Sequence, residues 1–318
     1  MKRSLLVAAL ATLGTTAAFA QSSVTIYGRL NTSVERQEVG GVKDNVVANN
    51  GSRLGFKGLE ELGGGLKAGF TLEHRFDSDD GESTNGNAFW GGAGESSVYL
   101  IGGWGMVKAG LSTAESYFAT SDMTDLMNHG TGTSADALYR SNWQVANKVS
   151  YRTPTFGEGT WAEFAALEGN GSEDPGYDVA VNSTIGALGL GFGYERQPNS
   201  NAGLAVRASY DLSPFLITGY VQRYDVDSTD DSTTVWRVAG MYTVGNAELV
   251  AAYGSFGEYD DDGVTAGAAR TVGDTTQYTV GVNYNLSKRT KVYTYYNRVK
   301  EDSIDATTAL AVGIRHNF

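Results

Sequence analysis

The chain has 318 residues, 36 acidic against 24 basic, giving a net charge of −12, with 42 glycines, 18 tyrosines, four prolines and no cysteine. So acidic a chain repels a phosphate backbone and is a poor nucleic-acid binder, and without cysteine it has neither disulfides nor thiolate metal sites. No apolar run is long enough to cross a bilayer as a helix.

In chain order, Lys2 and Arg3 precede the apolar run "LLVAALATLG" and the small residues "AFA" at 18–20. This is the layout of a secretory signal peptide, with cleavage expected between Ala20 and Gln21. Loss of Lys2 and Arg3 would leave 22 basic and 36 acidic residues, a mature net charge of −14. Residues 21–318 then read as one domain, since no Pro-rich or low-complexity linker interrupts them.

From Gln21 the period is two. "VTIYGRLNTSV" sets Val24, Ile26, Leu30 and Val34 on one face and Thr25, Tyr27, Arg29, Asn31 and Ser33 on the other. "LKAGFTLEHRF" sets Leu66, Ala68, Phe70, Leu72 and Phe76 against Lys67, Thr71, Glu73 and Arg75, with His74 as the exception. "LGLGFGYE", "LAVRASYD" and "QYTVGVNYNL" repeat the pattern, and each segment predicts a strand with one apolar and one polar face.

Breaks between the segments alternate in length. Short ones fall at 61–65, 102–105, 156–159, 185–187, 211–214, 244–246 and 286–290; long polar ones include 77–96, 112–140, 225–233 and 257–275. Counting the segments predicts sixteen strands joined by seven short turns and eight longer loops, the layout of an all-β, antiparallel transmembrane barrel with its short turns in the periplasm. A Lys or Arg facing the bilayer midplane costs roughly 2–4 kcal/mol. Arg29, Lys67, Arg75, Arg207, Arg237 and Glu248 accordingly share the non-apolar face, which puts the polar face around water. A soluble sandwich would alternate too, but its turns would not sort by length.

The last segment, "ALAVGIRHNF", alternates to the final residue, Phe318. A terminal strand stays ordered that far when another strand pairs with it, so pairing with residues 24–34 and closure of the sheet are expected.

"SSVTIYGRL", "GSRLGFKGLEELGGGLKAGFTLEHRFD" (51–77), "NKVSYRTPTF", "YNLSKRTKVYTYY" and the ending "VGIRHNF" resemble the trimeric general porins of Gram-negative outer membranes along essentially the whole mature chain. The resemblance implies a homotrimer of sixteen-stranded barrels through which ions and small hydrophilic solutes diffuse. It also implies that the third long loop, 112–140, folds into the barrel, although this loop lacks a "PEFGG"-like turn. Leu310, Val312, Ile314 and Phe318 would then form the C-terminal signal read by the outer-membrane assembly machinery, and outer-membrane lipid and lipopolysaccharide would surround the barrel.

A diffusion pore is selected by the charges at its constriction and needs no cofactor. Glu115, Asp122 and Asp125 lie on the inward loop; Arg29, Lys57, Arg75, Lys108 and Lys148 project from polar strand faces. The expectation is that these two groups oppose each other across the narrowest point. The acidic runs "DSDDGES", "DVDSTDDS" and "EYDDDG" lack EF-hand spacing and read as outer loops, with divalent-cation bridging to lipopolysaccharide a lesser reading. The rival classes are an adhesin or receptor barrel and a hydrolase. Three histidines (His74, His129, His316) are present, but no "GxSxG" elbow accompanies them, and "GGWG" and "GGAG" lack the helix and Lys-Ser/Thr of a phosphate loop, so no enzyme is expected.

Overall fold

The computed structural model describes residues 23–84, 94–127, 137–168, 174–198, 200–262 and 270–318; the expected signal peptide and His129 lie outside them. Strands β1 (Ser23–Val39), β2 (Val42–Asn49), β3 (Arg53–Gly63), β4 (Leu66–Arg75), β5 (Ser96–Gly102) and β6 (Gly105–Thr113) lead to a short helix, α1 (Glu115–Ala119), and a 3-10 turn (Asp122–Thr124). Strands β7 (Gln144–Arg152), β8 (Trp161–Leu167), β9 (Gly176–Ile185), β10 (Leu188–Arg196), β11 (Ala202–Asp211), β12 (Phe215–Val226), β13 (Asp231–Val244) and β14 (Ala247–Phe256) follow. Then come β15 (Tyr259–Asp261), β16 (Arg270–Val272), β17 (Thr275–Asn285), β18 (Thr290–Glu301) and β19 (Thr307–Asn317).

All pairings are antiparallel; they join chain neighbours except that β14 pairs with β17, β1 pairs with β3 as well as β2, and β1 pairs with β19, with Val34 opposite Val312 and Leu30 opposite His316. The sheet therefore closes on itself, as the uninterrupted alternation at the C-terminus predicts. Both β2 and β3 pair with β1, so they are one barrel strand broken at 50–52. There Gly51 adopts φ +75, and Asn31 replaces ladder bonds by donating its side-chain amide to the Asn50 carbonyl (2.8 Å) and its backbone N–H to Ser52 Oγ (3.0 Å). With β15 and β16 forming a separate ribbon, the barrel has sixteen strands.

Burial is inverted relative to a soluble protein. Val24 and Val312 are 65% and 62% exposed, whereas Gln222, Asn283 and Thr279 are fully buried. The apolar face lies outside, where lipid covers it, and the polar face lines the interior. His74 falls on the outer face, the break in alternation already visible in the sequence, and stacks on Phe76 at 6.2 Å. One predicted loop shrinks: β12 and β13 continue in register to Val226 and Asp231, so only 227–230 separate them instead of 225–233. Above the bilayer, strand residues need no apolar face, and the alternation fades before the ladder does.

Candidate functional site

The loop after β6 enters the barrel at once. At its root Glu115 sits under three cations: Lys108 Nζ is 3.5 Å away, Arg152 is ion-paired to it, and Lys148 donates to the Thr113 carbonyl (2.7 Å). Glu163 completes the cluster, 3.5 Å from Lys148 and 2.8 Å from Arg152. Helix α1 then lies against the wall of β9 and β10. Asp178 accepts hydrogen bonds from the Ser116 backbone (3.1 Å) and hydroxyl (3.0 Å), and Arg207 donates to the Ala119 carbonyl (2.8 Å).

This contact depends on glycine. A Cβ on Gly191 would stand 2.0 Å from the Ala119 oxygen, and one on Gly193 2.5 Å from the Ser116 oxygen. The glycines that alternate through "LGLGFGYE" thus form a track on which the helix backbone lies.

Past the 3-10 turn, Leu126 and Met127 pack among Ala239, Val250, Tyr293 and Tyr295 on the far wall. The return limb packs Leu138 and Tyr139 with Tyr220, Tyr224 and Phe256, and Arg140 lies 4.6 Å from the Phe256 ring. Among the described residues the loop thereby packs on the wall from β9 to β14 and, through Leu126 and Met127, on β18.

The register assembles a basic row. Arg29 stands opposite Arg53, and Arg53 opposite Arg75, on three adjacent strands. Arg315 continues the row on β19 beside Asn31, and Lys291 lies opposite Arg315 on β18. Glu73 supports the row: Arg75 Nε is 3.2 Å and Arg53 3.7 Å from its Oε1, and Tyr27 donates to it at 3.2 Å. Glu248 lies 3.8 Å from Lys291. The loop brings Asp125 within electrostatic reach of Arg29, Arg315 and Lys291, while Asp122 accepts from the Tyr117 hydroxyl (3.2 Å) on the loop itself. Arg75 reaches the return limb, 4.5 Å from the Trp143 ring.

A family model described as Gram-negative porin matches residues 6–303. The chain belongs to that family. Relatives include "Outer membrane porin protein 32" of Delftia acidovorans (29% identical) and "Major outer membrane protein P.IB" of Neisseria lactamica (27%), each aligned over the full length of both chains. Among solved structures, "Anion-selective porin from Comamonas acidovorans" superposes with a TM-score of 0.72 at 25% identity, covering 94% of this chain and all of that one. The protein is therefore an outer-membrane porin, a non-enzymatic channel.

The structure divides the residues singled out in the porin's sequence. Arg29 and Arg75 stand in the basic row and Asp125 interacts with it, while Asp122 is held by Tyr117 on the loop. Lys108 and Lys148 do not stand across the lumen from Glu115; they are 8% and 1% exposed and lie beside it. Their strands run beneath the root of the loop, which covers them. Lys57 is on the interior face but four residues from Arg53, roughly 13 Å along the strand towards the short turns, with its ammonium 5.3 Å from the Tyr27 ring. Arg53, Arg315 and Lys291 in the wall, and Arg152, Glu163 and Asp178 in the anchorage, do not stand out in the sequence, and Arg207 is marked there only as a charge on the inner face. The available signal was charge on the polar face, which they share with many residues that have no part in the gap.

Breaking one partner of a buried ion cluster typically costs about 3–5 kcal/mol, because the remaining charge is left uncompensated. Removing any one of Lys108, Lys148, Arg152, Glu115 or Glu163 would thus leave an uncompensated charge beneath the loop root.

Proposed function

We propose that this porin is a homotrimeric diffusion pore with a modest anion preference, its constriction formed between Asp122 and Asp125 on the loop and Arg29, Arg53, Arg75, Arg315 and Lys291 on the wall. The observation that carries this is the row of cations in register on adjacent strands. Even with Glu73 and Glu248 beside it, the wall keeps a positive excess, and the facing loop acids set a field across the gap rather than along it. Hydrated ions and small polar solutes orient in that field and pass; apolar solutes must first shed water. The relative named as anion-selective supports the sign. Glu115, Lys108 and Lys148 serve as anchors of the loop, and Lys57 as a charge of the periplasmic mouth.

In a planar bilayer under a KCl gradient, the mature protein is expected to insert in groups of three open levels, with a reversal potential on the anion side. Single-level insertions would remove the trimer, and a cation-side potential the anion preference.

The C-terminal residues Leu310, Val312, Ile314 and Phe318 are proposed as the assembly signal. Leu310, Val312 and Ile314 face outward, at 52%, 62% and 49% exposure, and so are available to another protein before lipid covers them. Phe318 also closes the barrel, exchanging two backbone hydrogen bonds with Gly28 (3.0 and 3.1 Å) and laying its ring where a Cβ on Gly28 would be. Phe318→Ala keeps those backbone bonds. It is expected to lower the amount of porin reaching the outer membrane severalfold while leaving refolding in detergent intact; equal loss in both settings would reduce Phe318 to a packing role.

A further inference from the structure

Beneath the inward loop the wall of β9 to β12 bounds a cavity of about 520 Å³, within the usual range of small-solute sites. Its floor includes residues of the short turns at 185–187 and 211–214, so it lies at the periplasmic end of the pore, and Met123 of the 3-10 turn meets it from the loop. None of its lining residues belongs to the basic row.

Arg207 is the cation of this cavity. It is 6% exposed, and its three hydrogen bonds all go to neutral acceptors: Nε donates to the Ala119 carbonyl (2.8 Å), Nη1 to Ser209 Oγ (2.9 Å) and Nη2 to Asn182 Oδ1 (2.8 Å). A guanidinium has five N–H donors, so with three in use two remain, one on each terminal nitrogen. Among the described residues no carboxylate stands within ion-pairing distance of it. The loop-root cations differ, since there Glu115 and Glu163 each meet two of them. A buried charge without a counter-charge is costly to keep, and this one lines a space that a solute can enter.

Register orders the rest of the cavity. Asn182, Gly191 and Arg207 form one transverse row and Thr184, Gly189 and Ser209 the next, with Asp211 two residues further towards the short turns. Glycine keeps the rows open: a Cβ on Gly189 would stand 2.4 Å from Ser209 Oγ and 3.3 Å from Arg207 Nη1. Asp211 is fixed by accepting from the Ser213 backbone N–H (2.9 Å). From the loop towards the periplasm the cavity thus runs from guanidinium through hydroxyls to carboxylate, over roughly 13 Å of strand.

We propose that this cavity is a binding subsite for small hydroxylated monocarboxylates of the sugar-acid class. The two remaining N–H groups of Arg207 form a fork for the two oxygens of one carboxylate. Solute hydroxyls meet Ser209, Thr184 and Asp211, and the carbon chain lies against Met123. Asp211 repels a second negative charge at the far end, so a dicarboxylate of the same length fits poorly. The subsite goes beyond the ion preference proposed above and does not depend on its sign.

The test reads partial block of KCl current in a planar bilayer by gluconate, glucarate and sorbitol, which share one six-carbon hydroxylated chain bearing one, two and no carboxylates. An Arg29→Gln/Arg53→Gln/Arg75→Gln background removes the basic row as a competing site. In it gluconate should half-block at a concentration roughly fivefold below that of sorbitol, the advantage of a charge-assisted fork, and severalfold below that of glucarate. Adding Arg207→Gln should bring gluconate to the sorbitol value. Both solutes are compared in the same pore, so any shift of the loop on losing the Ala119 bond affects them alike and the ratio remains the readout. Thr184→Val/Ser213→Ala, at two exposed positions, should weaken both solutes together, and Asp211→Asn should bring glucarate down to gluconate. Equal half-blocking by gluconate and sorbitol with Arg207 in place, or a ratio that survives Arg207→Gln, overturns the subsite. Glucarate that blocks as well as gluconate while Asp211 is present overturns the choice of monocarboxylates. A cation-side reversal potential of the wild type, with the gluconate block intact, removes the anion preference and leaves the subsite standing.

Discussion

Replacing Arg29, Arg53 and Arg75 together by glutamine is expected to carry the reversal potential of this porin across zero, from the anion to the cation side. Under a tenfold gradient of KCl an ideally selective pore would read about 59 mV, and the triple substitution should shift the potential by on the order of 20 mV. Two changes add. The wall loses three positive charges that stand in one transverse row, and Glu73, now held 3.2 Å from Arg75 and 3.7 Å from Arg53, is left facing the gap without them. The side chains of Arg53 and Arg75 are each 25% exposed, so glutamine in their place remains wetted and need not disturb the strands. Screening gives a second signature: the Debye length is about 10 Å in 0.1 M salt and about 3 Å in 1 M, so the shift should shrink steeply as both baths are concentrated. A triple variant with wild-type conductance and an unchanged reversal potential in dilute salt would show that the row does not select ions.

Gly191→Val should lower single-channel conductance without altering selectivity in sign. The new Cβ would stand 2.0 Å from the Ala119 oxygen, where ordinary carbon–oxygen contact is about 3.3–3.6 Å. Helix α1 must therefore move towards the pore axis by more than 1 Å, and the Arg207 bond to the same carbonyl must follow or break. The wall cannot yield on its side, because β10 is held in register by β9 and β11. A fall in conductance of roughly a fifth is expected from the narrowed section. Gly240→Val is the matched control: its glycine faces outward and the nearest atom to an added Cβ is 3.8 Å away, so conductance should not change. Equal behaviour of the two variants would mean that the helix does not lean on Gly191 in the working pore.

Much of this porin is legible in its sequence. A period of two says which side of a strand each residue faces, and a charge is too costly in hydrocarbon to sit on the lipid side, so alternation alone separates Arg29 from Leu30. Closure could be read as well, since the alternation through Phe318 has no purpose on an unpaired edge. Alternation was less informative above the membrane, where it placed a loop over 225–233 although the ladder continues almost to the hairpin tip.

Depth within the barrel is not a property of any one strand. It follows from how each strand is staggered against its neighbours, and stagger is set by pairing around the closed sheet. For that reason the sequence could place Arg29 and Arg75 on the inner face but could not tell that Arg53 stands between them, that Arg315 and Lys291 extend the row, or that Lys57 lies well below it. The inward loop was recognisable by its length and resemblance, yet its path was settled by contacts distant in the chain. Glu115 meets Arg152 and Lys108, Ser116 meets Asp178, and the backbone rests on glycines whose absent side chains show a purpose only once the helix lies over them. The sequence by itself determined the barrel, its two faces and its compartment, because these follow from local period and the cost of charge in lipid. Only the tertiary structure decided which charges face the gap and which hold the loop, because that depends on the register of strands far apart in the chain.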